Sequence, residues 1–286
     1  MKERRNRRIA GAAAVAMALA ALPAGALADA RDLFFERAVV VEADARCRLF
    51  APAVSSALKA AAAQARGAAL RAGGSDVELA DRARDARARA AAVACADPSL
   101  KTIQTRVEGA FAGWTQISRM TFPGARNTWA AERTLYRSAG WRLVQDTTIR
   151  HAAVRFGVSG GLRTPEQLAA TVQFPGRSRP YAARIVLRDT AKAPRPWFGR
   201  SGLPPKALTR VIWSSGFAAA EPTLLAAKAP GETWRFPAEA LAALEALDPR
   251  ETFTIEFVFR DDSVATAALE AGDLSAARAF LAMGTM

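Results

Sequence analysis

The spacing of apolar positions divides the chain into a helical part and a β-rich part. Between residues 31 and 113 the apolar residues recur every three or four positions, which is the period of an α-helix. After that stretch apolar and polar residues alternate, as they do in half-buried strands. The pattern predicts an α+β protein, with a helical domain over residues 29–113 and an antiparallel, sandwich-like β-rich domain over residues 114–286.

Four helices are predicted in the first part. Their start signals are Leu33, Pro52, Ser75 (with Glu78 completing a capping box) and Asp97-Pro98. The second and third helices are similar in length and are joined by a turn at Gly73-Gly74. We therefore expect these two helices to form an antiparallel hairpin.

Cys47 and Cys95 are the two cysteines of the chain. They flank the open end of the predicted hairpin, which predicts a disulfide that ties a thin, alanine-rich core. The chain has a single histidine, His151, so the cysteines lack the partners for a structural zinc site. No metal or cofactor is expected.

The clearest strand pattern is residues 252–260, TFTIEFVFR, in which every second residue is large and apolar. A turn at Asp261-Asp262-Ser263 follows it, and this order predicts a β-hairpin. Two short helices should cover the sheets. One is predicted to start at Pro237, and the other after Asp273 as its N-cap.

Two stretches of the chain resemble each other. Residues 122–137 read FPGARNTWAAERTLYR, and residues 174–188 read FPGRSRPYAARIVLR. Proline followed by glycine favours a type II turn, so each stretch predicts a strand–turn–strand unit. Both a duplication and convergence on a common hairpin explain the likeness.

The first 28 residues have the order of a secretory signal peptide. MKERRNRR is basic, residues 9–22 are apolar, and Ala26-Leu27-Ala28 supplies small residues for cleavage. We therefore expect a periplasmic or secreted protein with no transmembrane segment after cleavage. Removal of residues 1–28 lowers the formal net charge from +13 to +9.

One motif suggests catalysis. Residues 157–161, GVSGG, match the G-x-S-x-G pattern in which a sharp strand-to-helix turn exposes a nucleophilic serine, here Ser159. The base is missing, because His151 precedes Ser159 by eight residues and is expected on the same strand. A glycine-rich hairpin turn is the preferred interpretation, and the catalytic hypothesis rests on Ser159 and His151 alone.

Basic and aromatic residues suggest binding instead. Residues 190–206 contain four prolines and two glycines, so they predict a long loop, which is often functional. The candidate binding residues are Trp197, Phe198, Arg195 and Arg200 in that loop, with Arg184 and Arg188 on an outward sheet face. Arg142 and Arg150 are expected on outward strand positions as well. We expect a non-catalytic envelope-accessory protein that binds an anionic envelope component or an acidic protein surface. The alternatives are a serine hydrolase and a purely structural envelope protein, and nucleic acid is not expected as a partner.

Overall fold

A computed structural model of the chain describes residues 25–134, 140–161, 165–176, 179–199, 202–219 and 231–286. Arg200 and residues 1–24 of the predicted signal peptide lie outside the described residues. The α+β prediction is confirmed, because four helices precede two antiparallel sheets and two short helices. The helices are α1 (Gly25–Cys47), α2 (Pro52–Arg71), α3 (Asp76–Ala91), α4 (Pro98–Phe111), α5 (Ala238–Glu245) and α6 (Leu274–Leu281).

Three of the four helix start signals act as the sequence predicts, whereas the start predicted at Leu33 is wrong because α1 is already helical at Gly25. Pro52 is the first residue of α2, where its missing N–H costs nothing. The hydroxyl of Ser75 accepts a hydrogen bond from the backbone N–H of Glu78 at 3.1 Å. The carboxylate of Asp97 accepts one from the N–H of Ser99 at 2.8 Å. Among the described residues, no helix is both long enough and apolar enough to cross a membrane.

The packing of the helices differs from the predicted hairpin. α1 packs along both α2 and α3, so α1 rather than α3 is the main neighbour of α2. The predicted disulfide between Cys47 and Cys95 is present, with 5.5 Å between the two Cα atoms. It joins the last residue of α1 to the segment after α3. The bond therefore fixes the end of the central helix rather than the mouth of an α2–α3 hairpin.

Eleven strands of the described residues form two antiparallel sheets. The larger sheet has the order β1-β2-β3-β4-β5-β9-β8, and the smaller sheet has the order β11-β10-β6-β7. The strands are β1 (Arg119–Pro123), β2 (Thr128–Glu132), β3 (Trp141–Ile149), β4 (Ala152–Gly160), β5 (Gln167–Val172), β6 (Ala182–Arg188), β7 (Thr209–Trp213), β8 (Gly216–Ala219), β9 (Glu232–Phe236), β10 (Thr252–Val258) and β11 (Val264–Glu270).

The two sheets enclose an aromatic core. Phe156 of the larger sheet meets Phe253 of the smaller sheet with 5.4 Å between ring centroids, and Trp234 meets Phe257 at 6.4 Å. The alternation in residues 252–260 is confirmed, since β10 pairs with β11 and its large apolar residues are buried. The architecture is that of a β-sandwich.

The helical part and the sandwich share this core. Leu58 and three alanines of α2 belong to the same buried cluster as the sheet aromatics. At the start of α6, Asp273 pairs with Arg71 of α2 through two hydrogen bonds of 2.7 and 2.8 Å. Asp273 directly precedes α6 as predicted, but its side chain makes no cap hydrogen bond, because Arg71 engages both of its oxygens.

The two similar stretches adopt different structures. Phe122-Pro123-Gly124 ends β1 and leads into its antiparallel neighbour β2, so the first stretch is a hairpin within one sheet. Phe174-Pro175-Gly176 follows β5 and leads to β6, which lies in the other sheet. Gly176 has a positive φ of 70°, as a type II turn requires, whereas Gly124 is not among the positive-φ glycines. The same tripeptide therefore serves a hairpin in one place and a sheet crossing in the other.

Candidate functional site

Ser159 and His151 do not meet. His151 lies in the turn directly before β4, and Ser159 is near the other end of that strand. Eight residues of nearly extended chain separate them by about 26 Å. His151 lies just outside β4, so only Ser159 is on the strand on which both were expected. Ser159 is 8% exposed and lies opposite Arg142 of β3. The strand-to-helix turn of a nucleophile elbow is not found at this serine, because β4 continues through it.

Gly157 and Gly160 lie within β4, where they have a packing role, and not in the predicted glycine-rich turn. Gly157 lies opposite Val144, and a Cβ added at Gly157 would stand 2.1 Å from the carbonyl oxygen of Leu143. Gly160 lies under the indole of Trp141, its cross-strand partner. Close strand approach and an aromatic cover over glycine are recurrent features of curved sheets. They account for the G-x-S-x-G pattern without catalysis.

The predicted outward arginines do not form one basic face. Arg142 lies on the larger sheet and pairs with Glu132 at 2.8 Å. Arg184 lies on the smaller sheet and pairs with Glu256 at 2.6 Å. Arg150 is exposed in the turn between β3 and β4. The arginines are therefore divided between the two sheets, and paired carboxylates offset part of their charge.

The clearest correction to the sequence analysis concerns Arg188. It was expected on an outward sheet face, but it is buried. Its side chain is 4% exposed and binds both carboxylate oxygens of Glu251, at 2.5 and 2.7 Å, and Glu251 is 2% exposed. It also donates to the carbonyl oxygen of Ala193, within the long loop. Alternation placed Arg188 on the correct face of β6, but the loop after the strand folds back and covers that end.

The same ion pair anchors the long loop. The backbone N–H of Trp197 donates to Glu251 at 3.0 Å, and the Trp197 side chain is only partly exposed. Phe198 is 56% exposed, and the guanidinium of Arg250 lies 4.4 Å from its ring centroid. Arg195 is exposed. Trp197 is thus held against the protein rather than fully exposed for a partner.

A different part of the molecule exposes aromatic residues beside arginine. Within the described residues, β7 is an edge strand of the smaller sheet and β8 is an edge strand of the larger sheet. Only Ser214 and Ser215 separate the two strands. The N–H of Ser214 donates to Ala183 of β6, and that of Ser215 donates to Arg235 of β9. Both sheet edges therefore lie on the same side of the sandwich.

Four large apolar side chains are exposed on or beside these strands: Tyr181 (56%), Val211 (42%), Trp213 (48%) and Phe217 (46%). The guanidinium of Arg184 lies 5.1 Å from the Trp213 ring centroid, and that of Arg179 lies 4.4 Å from the Phe217 ring centroid. Arg179 also pairs with Glu232 at 3.4 Å. We call the surface formed by these four apolar residues with Arg179 and Arg184 the edge surface.

The edge surface unites one residue that the sequence singled out, Arg184, with aromatics that it did not. The pattern TRVIW places Val211 and Trp213 on one face of a strand. Nothing in the local sequence shows that this strand lies at the edge of a sheet. The exposure of Trp213 therefore could not be predicted from the sequence.

Other kinds of site receive no support from the described residues. No group of three or more histidine, cysteine or acidic side chains there could hold a metal ion. Comparison of the chain with models of protein families, with curated proteins and with solved structures found no match. The candidate site is therefore defined by exposure and geometry alone.

Proposed function

We propose that this protein is a non-catalytic binding protein of the periplasm or extracellular space, and that a protein partner with an acidic surface docks on the edge surface. The observation that carries the proposal is the pairing of exposed aromatics with arginine: Trp213 with Arg184, and Phe217 with Arg179. Tryptophan, tyrosine and arginine are the residues most enriched at the energetic centres of protein interfaces.

The position of β7 and β8 at sheet edges, as far as the structure describes the chain, supports the same proposal. A strand at a sheet edge presents unpaired backbone groups, and proteins normally protect it with charge, bulges or cover. β7 has one exposed charge, Arg210, but it also exposes Val211 and Trp213, and such exposed apolar residues on an edge strand favour a partner. The disulfide between Cys47 and Cys95 supports the location, since disulfides persist in oxidising compartments.

The partner should be acidic because the edge surface is basic. Arg179 pairs with Glu232 and Arg184 pairs with Glu256, and the exposed Arg210 of β7 adds a third positive charge beside this surface. Arginine stacked on an aromatic ring is already oriented, so it can bind a carboxylate with little further ordering.

Photo-crosslinking tests the proposal directly. A benzophenone amino acid in place of Val211 should form a crosslinked product in an envelope extract, and the combined change Trp213→Ala and Phe217→Ala should abolish it. Phe198→Ala is the matched control, because it removes an equally exposed aromatic elsewhere. Crosslinking that survives the double change, or that Phe198→Ala reduces equally, would contradict the proposal.

A fluorophosphonate probe separates this function from the serine-hydrolase alternative. We expect no labelling, because Ser159 is buried in β4 and His151 lies at the far end of the strand. Labelling that disappears in Ser159→Ala would favour the hydrolase. Absence of both labelling and crosslinking would favour a purely structural protein.

A further inference from the structure

A trough lies on the outer face of the larger sheet, which is a different surface from the edge surface. It has a volume of about 570 Å³ and is lined by residues of β1, β2, β3 and β4. Cavities that bind small molecules usually measure about 300–1,000 Å³. The trough is therefore large enough for a small ligand.

The strand register gives the trough an uncharged floor. Successive cross-strand partners from β1 to β5 bring five outward-facing residues into one row: Thr121, Ala130, Val144, Gly157 and Ala169. Thr121 and Ala130 are exposed, whereas Val144 and Ala169 are buried. The floor is thus open at the β1 edge and closed towards β5.

Charged rows flank the floor on both sides. Arg119, Glu132 and Arg142 form one row, and Asp146 and Arg155 form the other. Each charged row is two residues along the strands from the floor, which corresponds to about 7 Å. The trough is consequently narrow, and its lining side chains carry a net charge of +1.

The charged rows are held in place by ion pairs. Glu132 accepts from Arg119 at 2.7 and 2.9 Å and from Arg142 at 2.8 and 2.9 Å. Burial raises the pKa of Glu132, but the bonds from Arg119 and the charge of Arg142 outweigh it and hold that pKa below its ordinary value. Arg155 binds both oxygens of Asp146, at 2.6 and 2.7 Å. The arginines are therefore pre-oriented before any ligand arrives.

We propose that the trough binds a single-chain amphiphile with a carboxylate or phosphate head. Guanidinium groups match the geometry of these two anions, and Arg119, with 73% of its side chain exposed, stands at the open end. The small, uncharged floor suits a narrow apolar chain. A sugar ring would lack a stacking partner, because no aromatic residue is among the described lining residues.

Four probes with the same eight-carbon chain test the head group. Octanoate and octyl phosphate should bind saturably and shift the backbone amide NMR signals of β1, β2 and β3. Octan-1-ol and octylammonium, used like the others below their micelle concentrations, should bind at least about tenfold more weakly, since one charge-assisted contact is worth about that factor. A difference in affinity between octanoate and octyl phosphate shows which of the two head groups the trough prefers.

Two variants test the two parts of the site. Arg119→Gln should weaken the binding of octanoate and octyl phosphate by roughly tenfold and leave the binding of octan-1-ol unchanged. Ala130→Leu places a larger side chain on the exposed part of the floor, so it should weaken the binding of every probe. Arg260→Gln, in the exposed turn after β10 of the other sheet, is the control and should leave the binding of all four probes unchanged.

Three outcomes would overturn the proposal. The first is that octylammonium binds as tightly as octanoate. The second is that Ala130→Leu leaves the affinity for all four probes unchanged. The third is that the changes in the amide NMR signals are confined to another surface.

Discussion

The helical region and the β-sandwich of this protein maintain their order by different means. In the helical region, small clusters such as Phe34, Leu70 and Leu79 with two alanines fill the spaces between α1, α2 and α3. In the sandwich, phenylalanines and Trp234 in edge-to-face contact fill the space between two sheets. Alanine buries little apolar area per residue, so the helical region gains less from hydrophobic burial. A covalent bond between Cys47 and Cys95 adds to its stability.

The two regions also place their ion pairs differently. Helical pairs such as Asp81 with Arg84 are exposed, and exposed pairs contribute about 0–1 kcal/mol. The sandwich contains the buried pair of Arg188 and Glu251. A well-filled core can enclose such a pair, but each partner then depends on the other, because a lone buried charge is strongly unfavourable. The comparison predicts different responses to mutation in the two regions.

The largest effect is expected in the sandwich. Glu251→Ala removes the partner of buried Arg188, and with it the hydrogen bonds that the same two oxygens accept from the N–H groups of Trp197 and Asp248. We expect the free energy of unfolding in urea to fall by about 3–5 kcal/mol. Glu256→Ala, which breaks the more exposed pair with Arg184, should cost only about 0–1 kcal/mol. Equal losses in the two variants would show that burial does not set the difference.

The disulfide is the corresponding test of the helical region. Replacing both cysteines, Cys47→Ser with Cys95→Ser, should lower stability by up to about 4 kcal/mol, since the bond closes a loop across a sequence separation of 48. Hydrogen exchange should show the loss of protection mainly in residues 31–112. Uniform loss of protection across the sandwich would mean that the two regions unfold as one unit.

Arg71 and Asp273 connect the two regions, so their pair sharpens the comparison. Arg71→Met should cost about 1.5–3 kcal/mol, because it removes two charged hydrogen bonds from a buried carboxylate. Burial raises the pKa of Asp273, and Arg71 offsets only part of this rise.

The raised pKa also predicts a pH dependence. The folded state holds the Asp273 proton more tightly than the unfolded chain does. The contribution of this carboxyl to stability is therefore greatest at low pH and decreases as the pH rises above about 4. In Asp273→Asn that decrease should be absent, which urea titrations between pH 3 and 7 can measure. If the free energy of unfolding of Asp273→Asn depends on pH in the same way as that of the unmodified protein, the pH dependence does not come from Asp273.

The smallest effect concerns a single helix cap. Ser75→Ala removes the acceptor for the N–H of Glu78 and should cost about 1 kcal/mol, with early exchange confined to the first turn of α3. Ser99→Ala is the matched comparison, because the Asp97 carboxylate keeps the hydrogen bond from the backbone N–H of Ser99 when the Ser99 side chain is shortened. A loss of stability in Ser99→Ala as large as that in Ser75→Ala would argue against a specific cap effect.

Local patterns determined much of this protein. The periods of three to four and of two, the prolines at the starts of α2 and α4, the caps at Ser75 and Asp97, and the Asp261–Ser263 turn each act within a few residues. These features therefore appear in the structure as the sequence predicts them. The pairing of the two cysteines followed from their number and from the helices between them.

Only the tertiary structure decided which strands end a sheet and which arginines are enclosed. Arg184 and Arg188 have the same alternation, yet the loop after β6 covers Arg188 and leaves Arg184 beside Trp213. The Phe-Pro-Gly turns are alike in sequence, yet they join strands of one sheet in one case and of two sheets in the other. Side-chain alternation fixes the face of a residue within its own strand. Exposure depends on neighbours far away in the chain, and no local pattern contains that information.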